Sequence, residues 1–162
     1  MSTIESVREY LQARGLADGI LEFPVSSATV ELAARAAGVI PARIAKSLSF
    51  MLPDGPILVI AAGDAKVDNP KYKAQFHAKA KMIGHDEVFA AIGHEVGGVC
   101  PFAVRPQVRC WLDVSLKRFA TVFPACGSAN SAVELSPDQL QAAAQNCQGW
   151  VDVCKAWDPG LR

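Results

Sequence analysis

A chain of 162 residues, 51% hydrophobic and 20% charged, carries enough apolar material for one domain with a real core, is short for two, and is not a disordered polymer. Its 16 basic and 16 acidic residues cancel at pH 7, which excludes a generally polybasic nucleic-acid binder and leaves room only for a local basic patch. The five cysteines (Cys100, Cys110, Cys126, Cys147, Cys154) are odd in number and contain no Cys-x-x-Cys, which argues against a disulfide framework and against a structural zinc site.

Met1-Ser2-Thr3-Ile4-Glu5 has no charged region followed by an apolar one, and the longest apolar run, residues 57–62, is far too short to span a bilayer. The expectation is a cytoplasmic protein without a membrane partner.

In chain order, Ile4, Val7 and Leu11 recur at helical spacing and Gly15 follows, predicting a first helix over residues 3–14. Residues 20–25 read as a short strand. Ser26, Ser27 and Thr29 offer caps for a second helix that runs to Ala37 and closes at Gly38, with Leu32 and Ala36 expected inward.

The next stretch, Arg43-Ile44-Ala45-Lys46-Ser47-Leu48-Ser49-Phe50, alternates with period two. Ile44, Leu48 and Phe50 share one face, and Ala45, Ser47, Ser49 and Met51 the other. Lys46 falls on the face with the large apolar groups, where its ammonium must snorkel to water or meet a polar partner. Pro53-Asp54-Gly55 turns the chain into a second strand, residues 56–62, apolar on both faces and so central in its sheet.

Residues 63–81 hold five lysines against Asp64 and Asp68, a local charge of about +3 by simple counting. Asn69-Pro70 reads as the cap and first residue of a helix, with Tyr72 and Phe76 inward and Lys71, Lys73 and Lys79 outward. Such a run is commonly a solvated helix face; the sharper reading is a platform for phosphates.

A short helix over residues 85–92 leads into Gly93-His94-Glu95-Val96-Gly97-Gly98-Val99-Cys100-Pro101-Phe102. Paired glycines in an apolar loop indicate a tight turn or backbone that must come close to something, as in an oxyanion-type site. His94 and Glu95 are expected in solvent.

Residues 109–114 read as a strand, residues 115–119 as a short helix or turn, and Thr121-Val122-Phe123 as the start of another strand. Small polar residues around Cys126-Gly127-Ser128 precede a strand over residues 132–135. Ser136-Pro137 starts a helix to about Ala144, and residues 150–154 form a last strand or helix. Several hairpins with interspersed helices indicate an α+β domain around a mixed sheet.

Three stretches together carry a resemblance. Ala45-Lys46-Ser47-Leu48, Val96-Gly97-Gly98-Val99-Cys100-Pro101-Phe102, and Cys126-Gly127-Ser128 followed by Val133-Glu134-Leu135 are similar, in order and spacing over roughly residues 20–145, to the YbaK/EbsC family of aminoacyl-tRNA deacylases, relatives of the editing domain of bacterial-type prolyl-tRNA synthetases. The resemblance implies a single domain over residues 1–162 with a curved, barrel-like mixed sheet and flanking helices. It implies hydrolysis of a mischarged aminoacyl ester at the tRNA 3′ end, with no metal and no cofactor.

Lys46 matches the family's required lysine, and Gly97 and Gly98 fall in its functional glycine loop. Ser47, Cys100, Cys126, Gly127, Ser128, Lys66 and Lys71 are the accompanying candidates for substrate contact. The implied partners are a mischarged tRNA and an aminoacyl-tRNA synthetase.

Two departures matter. Members acting on cysteinyl-tRNA tend to carry an aspartate where this chain has Ala132, and Cys100 stands where a serine is often found. The first makes the pocket less acidic, so cysteinyl specificity does not carry over. A nucleophilic Cys126 would need a base to lower its pKa, and no partner histidine is evident. The alternative on the same scaffold is a non-catalytic module that binds a tRNA end or a small ligand.

Overall fold

Strand β3 (Gly55–Ala62) organises the molecule, and its side chains explain why: from Pro56 to Ala62 every residue is buried, so both faces need cover. In the computed structural model, which describes residues 3–161, β2 (Ile44–Leu52) pairs with it antiparallel across the turn at Pro53-Asp54, and β5 (Arg109–Asp113) pairs parallel on the other side. Outward, β6 (Phe123–Pro124) joins β2 and β8 (Cys147–Val151) joins β5, both parallel, giving the order β6-β2-β3-β5-β8. The five strands curl into a half-barrel with helices on its flanks. Two antiparallel ribbons complete the strands: β1 (Ile20–Glu22) with β7 (Ser131–Val133), and β4 (Lys66–Val67) with β9 (Cys154–Lys155).

The α+β class and the mixed sheet agree with the sequence reading, and the expected succession of hairpins is met only in part. Among the described residues the consecutive strands β2 and β3 form one hairpin and antiparallel bridges join residues 122–125 to 132–135 as a second, but the other pairings of the large sheet are parallel. Parallel partners need long crossovers, which leave no local mark in the sequence.

Helix α1 (Thr3–Gln12) buries Val7 and Leu11 completely. Helix α2 (Val30–Ala37) is capped by the Thr29 hydroxyl, which accepts from the Leu32 amide, and ends at Gly38 in the left-handed region. It buries Ala33 and Ala34, whereas Leu32, expected inward, is exposed. The small pair brings α2 close to Ile44, Phe123 and Ala132.

Helix α3 (Asn69–Phe76) starts one residue before expectation: Asp68 is the cap, its carboxylate accepting from the Lys71 amide at 3.0 Å, so Asn69 is already helical. Beneath it an aromatic row runs Phe50, Tyr72, Phe76, Trp111, with ring centroids 4.9, 4.7 and 5.0 Å apart. Each such pair contributes about 0.5–1.5 kcal/mol beyond its burial. Helix α4 (Val88–Ile92) and helix α5 (Pro137–Ala143) follow, the latter opened by a reciprocal Ser136–Gln139 capping box.

Fully buried Asp113 is satisfied by the amides of Ser115 and Val153, both at 3.0 Å, and the Ser115 hydroxyl accepts from the Ala62 amide at 3.1 Å. These bonds fix the end of β3 and the segment after it, next to the site described below.

Candidate active site

A cavity of about 370 Å³ opens beside β2. Its walls are Ala45, Ser47 and Ser49 of β2, Ala33 and the residues that enter α2, Gly97 and Val99 of the glycine loop, and Ala125, Ser131 and Ala132 around β7. Met82 and Val96, both well exposed, stand at its mouth with His85. Lys46 also lines it, and no carboxylate among the described residues does.

Lys46 is half-buried. Its ammonium donates to the backbone carbonyl of Gly63 at 3.3 Å and to that of Ala65. An ammonium has three donors, so one stays available to a ligand. Burial lowers its pKa from the ordinary lysine value, outweighing the pull of Cys154, Asp64 and Glu31 in the other direction. The tension seen in the sequence, a lysine on an apolar face, is resolved by carbonyl oxygens rather than by a counter-ion.

The cavity brings together Lys46, Ser47 and Gly97 of the residues singled out in the sequence. Gly97 sits at φ +96°, a conformation suited to glycine. Gly98 does not line the cavity: its amide donates to the Glu95 carbonyl at 3.0 Å and its carbonyl accepts from the Gly127 amide at 3.0 Å. Of the two glycines expected to offer backbone to a substrate, Gly97 stands in the cavity lining and Gly98 behind it.

Cys100 and Cys126 are buried outside the lining, and burial pushes both thiols up, Cys100 to about 12. Neither has the environment of a nucleophile. Gly127 lies outside the lining too, its carbonyl accepting from the Thr3 hydroxyl of α1. Ser128 is one bond removed, its hydroxyl 2.6 Å from that of Ser131.

Lys66 and Lys71 are exposed and outside the lining; Lys71 is taken up by Asp152 at 3.0 Å and by the Cys154 carbonyl at 3.2 Å. Lys71, Lys73 and Lys79 do face outward as expected, with the field of the first blunted by Asp152.

His94, expected in solvent, is 1% exposed: Nε2 donates to the Phe102 carbonyl at 2.6 Å, the Cys100 sulfur lies 3.5 Å from the same nitrogen, and Nδ1 is buried unpartnered. Burial holds its pKa below the usual histidine value. Glu95 is exposed, as expected.

Sequence reasoning missed the cavity walls at Ser27, Ala28, Met82, Ile83 and Phe123. Ser27 had a visible signal, one hydroxyl residue more than a helix cap needs. The apolar residues looked like any other core positions.

The chain matches the model of the aminoacyl-tRNA editing domain over residues 25–143. It is 50% identical over 157 residues to the uncharacterised protein YwhH of Bacillus subtilis, covering 96% of this chain and 99% of that one. It is 24% identical over 114 residues to EbsC of Enterococcus faecalis, provisionally named a Cys-tRNA(Pro)/Cys-tRNA(Cys) deacylase, covering 69% and 70% of the two chains. A crystal structure provisionally described as a trans-editing enzyme for prolyl tRNA synthetase superposes with a TM-score of 0.85 at 26% identity, over 96% of this chain and 98% of that one.

Proposed function

The chain belongs to the aminoacyl-tRNA editing domain family, and from that premise we propose that it is a trans-editing hydrolase that removes a small amino acid, alanine, serine or cysteine, from a mischarged tRNA in the cytoplasm. The observation that carries this reading is Lys46, with one ammonium donor uncommitted, in the lining of a cavity of about 370 Å³ where, among the described residues, no carboxylate stands. That volume is at the lower end of small-molecule sites and suits an aminoacyl group with part of its terminal ribose.

Ester hydrolysis asks little of such a site. Water adds to the carbonyl carbon, the negative charge develops on the carbonyl oxygen, the bond to the ribose oxygen breaks, and a water proton ends on that oxygen. The third N–H of Lys46 is the cation available to the developing oxyanion or to the terminal phosphate, and a half-buried setting strengthens either contact. Gly97 offers backbone at the same cavity. Ala45, Ser47, Ala132 and their neighbours set its size, and pockets of this kind discriminate by excluding the larger side chain.

The test is a deacylation panel of Ala-, Ser-, Cys- and Pro-charged tRNA with wild type and Lys46→Ala. Hydrolysis of one mischarged species that disappears in Lys46→Ala, with the melting temperature retained, is the expected result. Equal rates in the two proteins would sink the reading. Absence of turnover with tRNA still bound would favour a binding module instead.

A further inference from the structure

The two carbonyls that hold Lys46 belong to Gly63 and Ala65, and the residue between them, Asp64, is held from elsewhere. Its carboxylate takes a two-pronged grip from Arg118, Oδ1 to Nη2 at 2.6 Å and Oδ2 to Nη1 at 3.0 Å. Arg118 is 5% exposed in its side chain and is itself fixed: Nε donates to the Ser115 carbonyl at 2.8 Å, Nη1 also to the Asp158 carbonyl at 3.0 Å. The rings of Phe119 and Trp157 stand 4.8 and 4.9 Å from its guanidinium carbon. On the other flank the loop is backed by main chain, since a methyl on Gly63 would fall 2.1 Å from the Pro41 carbonyl oxygen. The Lys46 cradle is thus pinned on both sides.

We propose that Asp64 and Arg118 are positioning residues for Lys46: their ion pair holds the 63–65 loop so that two of its carbonyls take two donors of the ammonium and direct the third into the cavity. The inference rests on the reading of Lys46 as the group that meets the substrate. A partly buried ion pair is weak evidence for stability, because desolvation offsets the attraction, and a fork of this geometry specifies a conformation better than it stabilises one. The titratable groups around the ammonium are Cys154, Asp64, Glu31 and Lys66. Arg118 holds the Asp64 carboxyl below its ordinary value by hydrogen bond and charge, against the opposing effect of burial, so the fork is ionised at neutral pH.

The experiment uses the full chain, as wild type, Asp64→Asn and Arg118→Lys, with lysine labelled at Cε and Lys46→Ala to assign the Lys46 signal. NMR reads the position and titration of that signal, and deacylation kinetics are taken well below each melting temperature. Asp64→Asn is expected to move the Lys46 signal, to lower its titration point, and to reduce kcat about tenfold or more with KM within about twofold, as misplacement of a reacting group does. Arg118→Lys, which keeps the charge and loses the fork, falls between. If both variants lose melting temperature while the Lys46 signal and kcat stay within about twofold of wild type, the pair is only structural and the proposal is overturned. If wild type deacylates nothing, the functional reading fails by itself and the NMR arm still decides the positioning. If Asp64→Asn does not fold, Arg118→Lys decides.

Discussion

The backbone of Gly98 lies against that of Gly127: a methyl on Gly98 would sit 2.6 Å from both the Gly127 carbonyl carbon and the Ser128 nitrogen, and the Gly127 amide donates to the Gly98 carbonyl at 3.0 Å. Two loops far apart in sequence are fastened main chain to main chain. Gly97, the next residue back, reaches the cavity wall, so the contact behind it sets how far that wall stands from β2.

Gly98→Ala therefore has nowhere to put its methyl. Overpacking of this kind costs about 1–3 kcal/mol, several degrees of melting temperature for a chain of this size. A thermal melt measures it, and an unchanged melting temperature would show that the loops separate freely.

His94 makes stability depend on acid. Burial keeps its folded-state pKa below the ordinary 6.5, so as pH falls the unfolded chain takes up this proton first. Its contribution is whole above about pH 6.5 and is lost as pH drops through the depressed folded value. His94→Gln, whose amide can still donate to the Phe102 carbonyl, is expected to flatten the fall in melting temperature between about pH 7.5 and about pH 5. An equally steep fall in the variant would assign the effect to other groups.

Ala132 is 3% exposed in the cavity wall, clustered with Ala33, Ala34, Ile44 and Phe123, where a carboxylate would meet apolar neighbours. Ala132→Asp is expected to cost about 1–3 kcal/mol of stability through incomplete hydrogen bonding. On the proposed function it also changes the ratio of Ala-, Ser- and Cys-tRNA deacylation by about tenfold or more, the scale on which one polar group discriminates. Identical ratios in the two proteins would remove Ala132 from the specificity of the site.

The elements legible beforehand were those whose signal is local. The doubly apolar residues of β3 announced a central strand, and Ser136-Pro137 announced the start of α5. Lys46 was visible because one charge broke an apolar alternation.

What stayed hidden depends on distant partners. His94 looked solvated because its acceptor, the Phe102 carbonyl, belongs to a loop whose path the sequence does not reveal. Lys71 looked free for phosphate because Asp152 lies far along the chain. Asp68 and Asn69 are both competent helix caps, and only the fold chose between them. The Gly97-Gly98 pair was correctly read as a demand for close backbone approach, but for Gly98 the approaching object is another loop of the same protein.

The order β6-β2-β3-β5-β8 has a consequence for how the cavity comes into being. Of the pairings in that sheet only β2 with β3 joins neighbours along the chain, so every other one must first close a long loop and meet its entropy. The cavity takes walls from Ser27 at one extreme and Ala132 at the other. No single hairpin of the chain holds all of these walls. The strand that bears Lys46 can be present early in assembly, but an enclosure around it belongs to the finished topology.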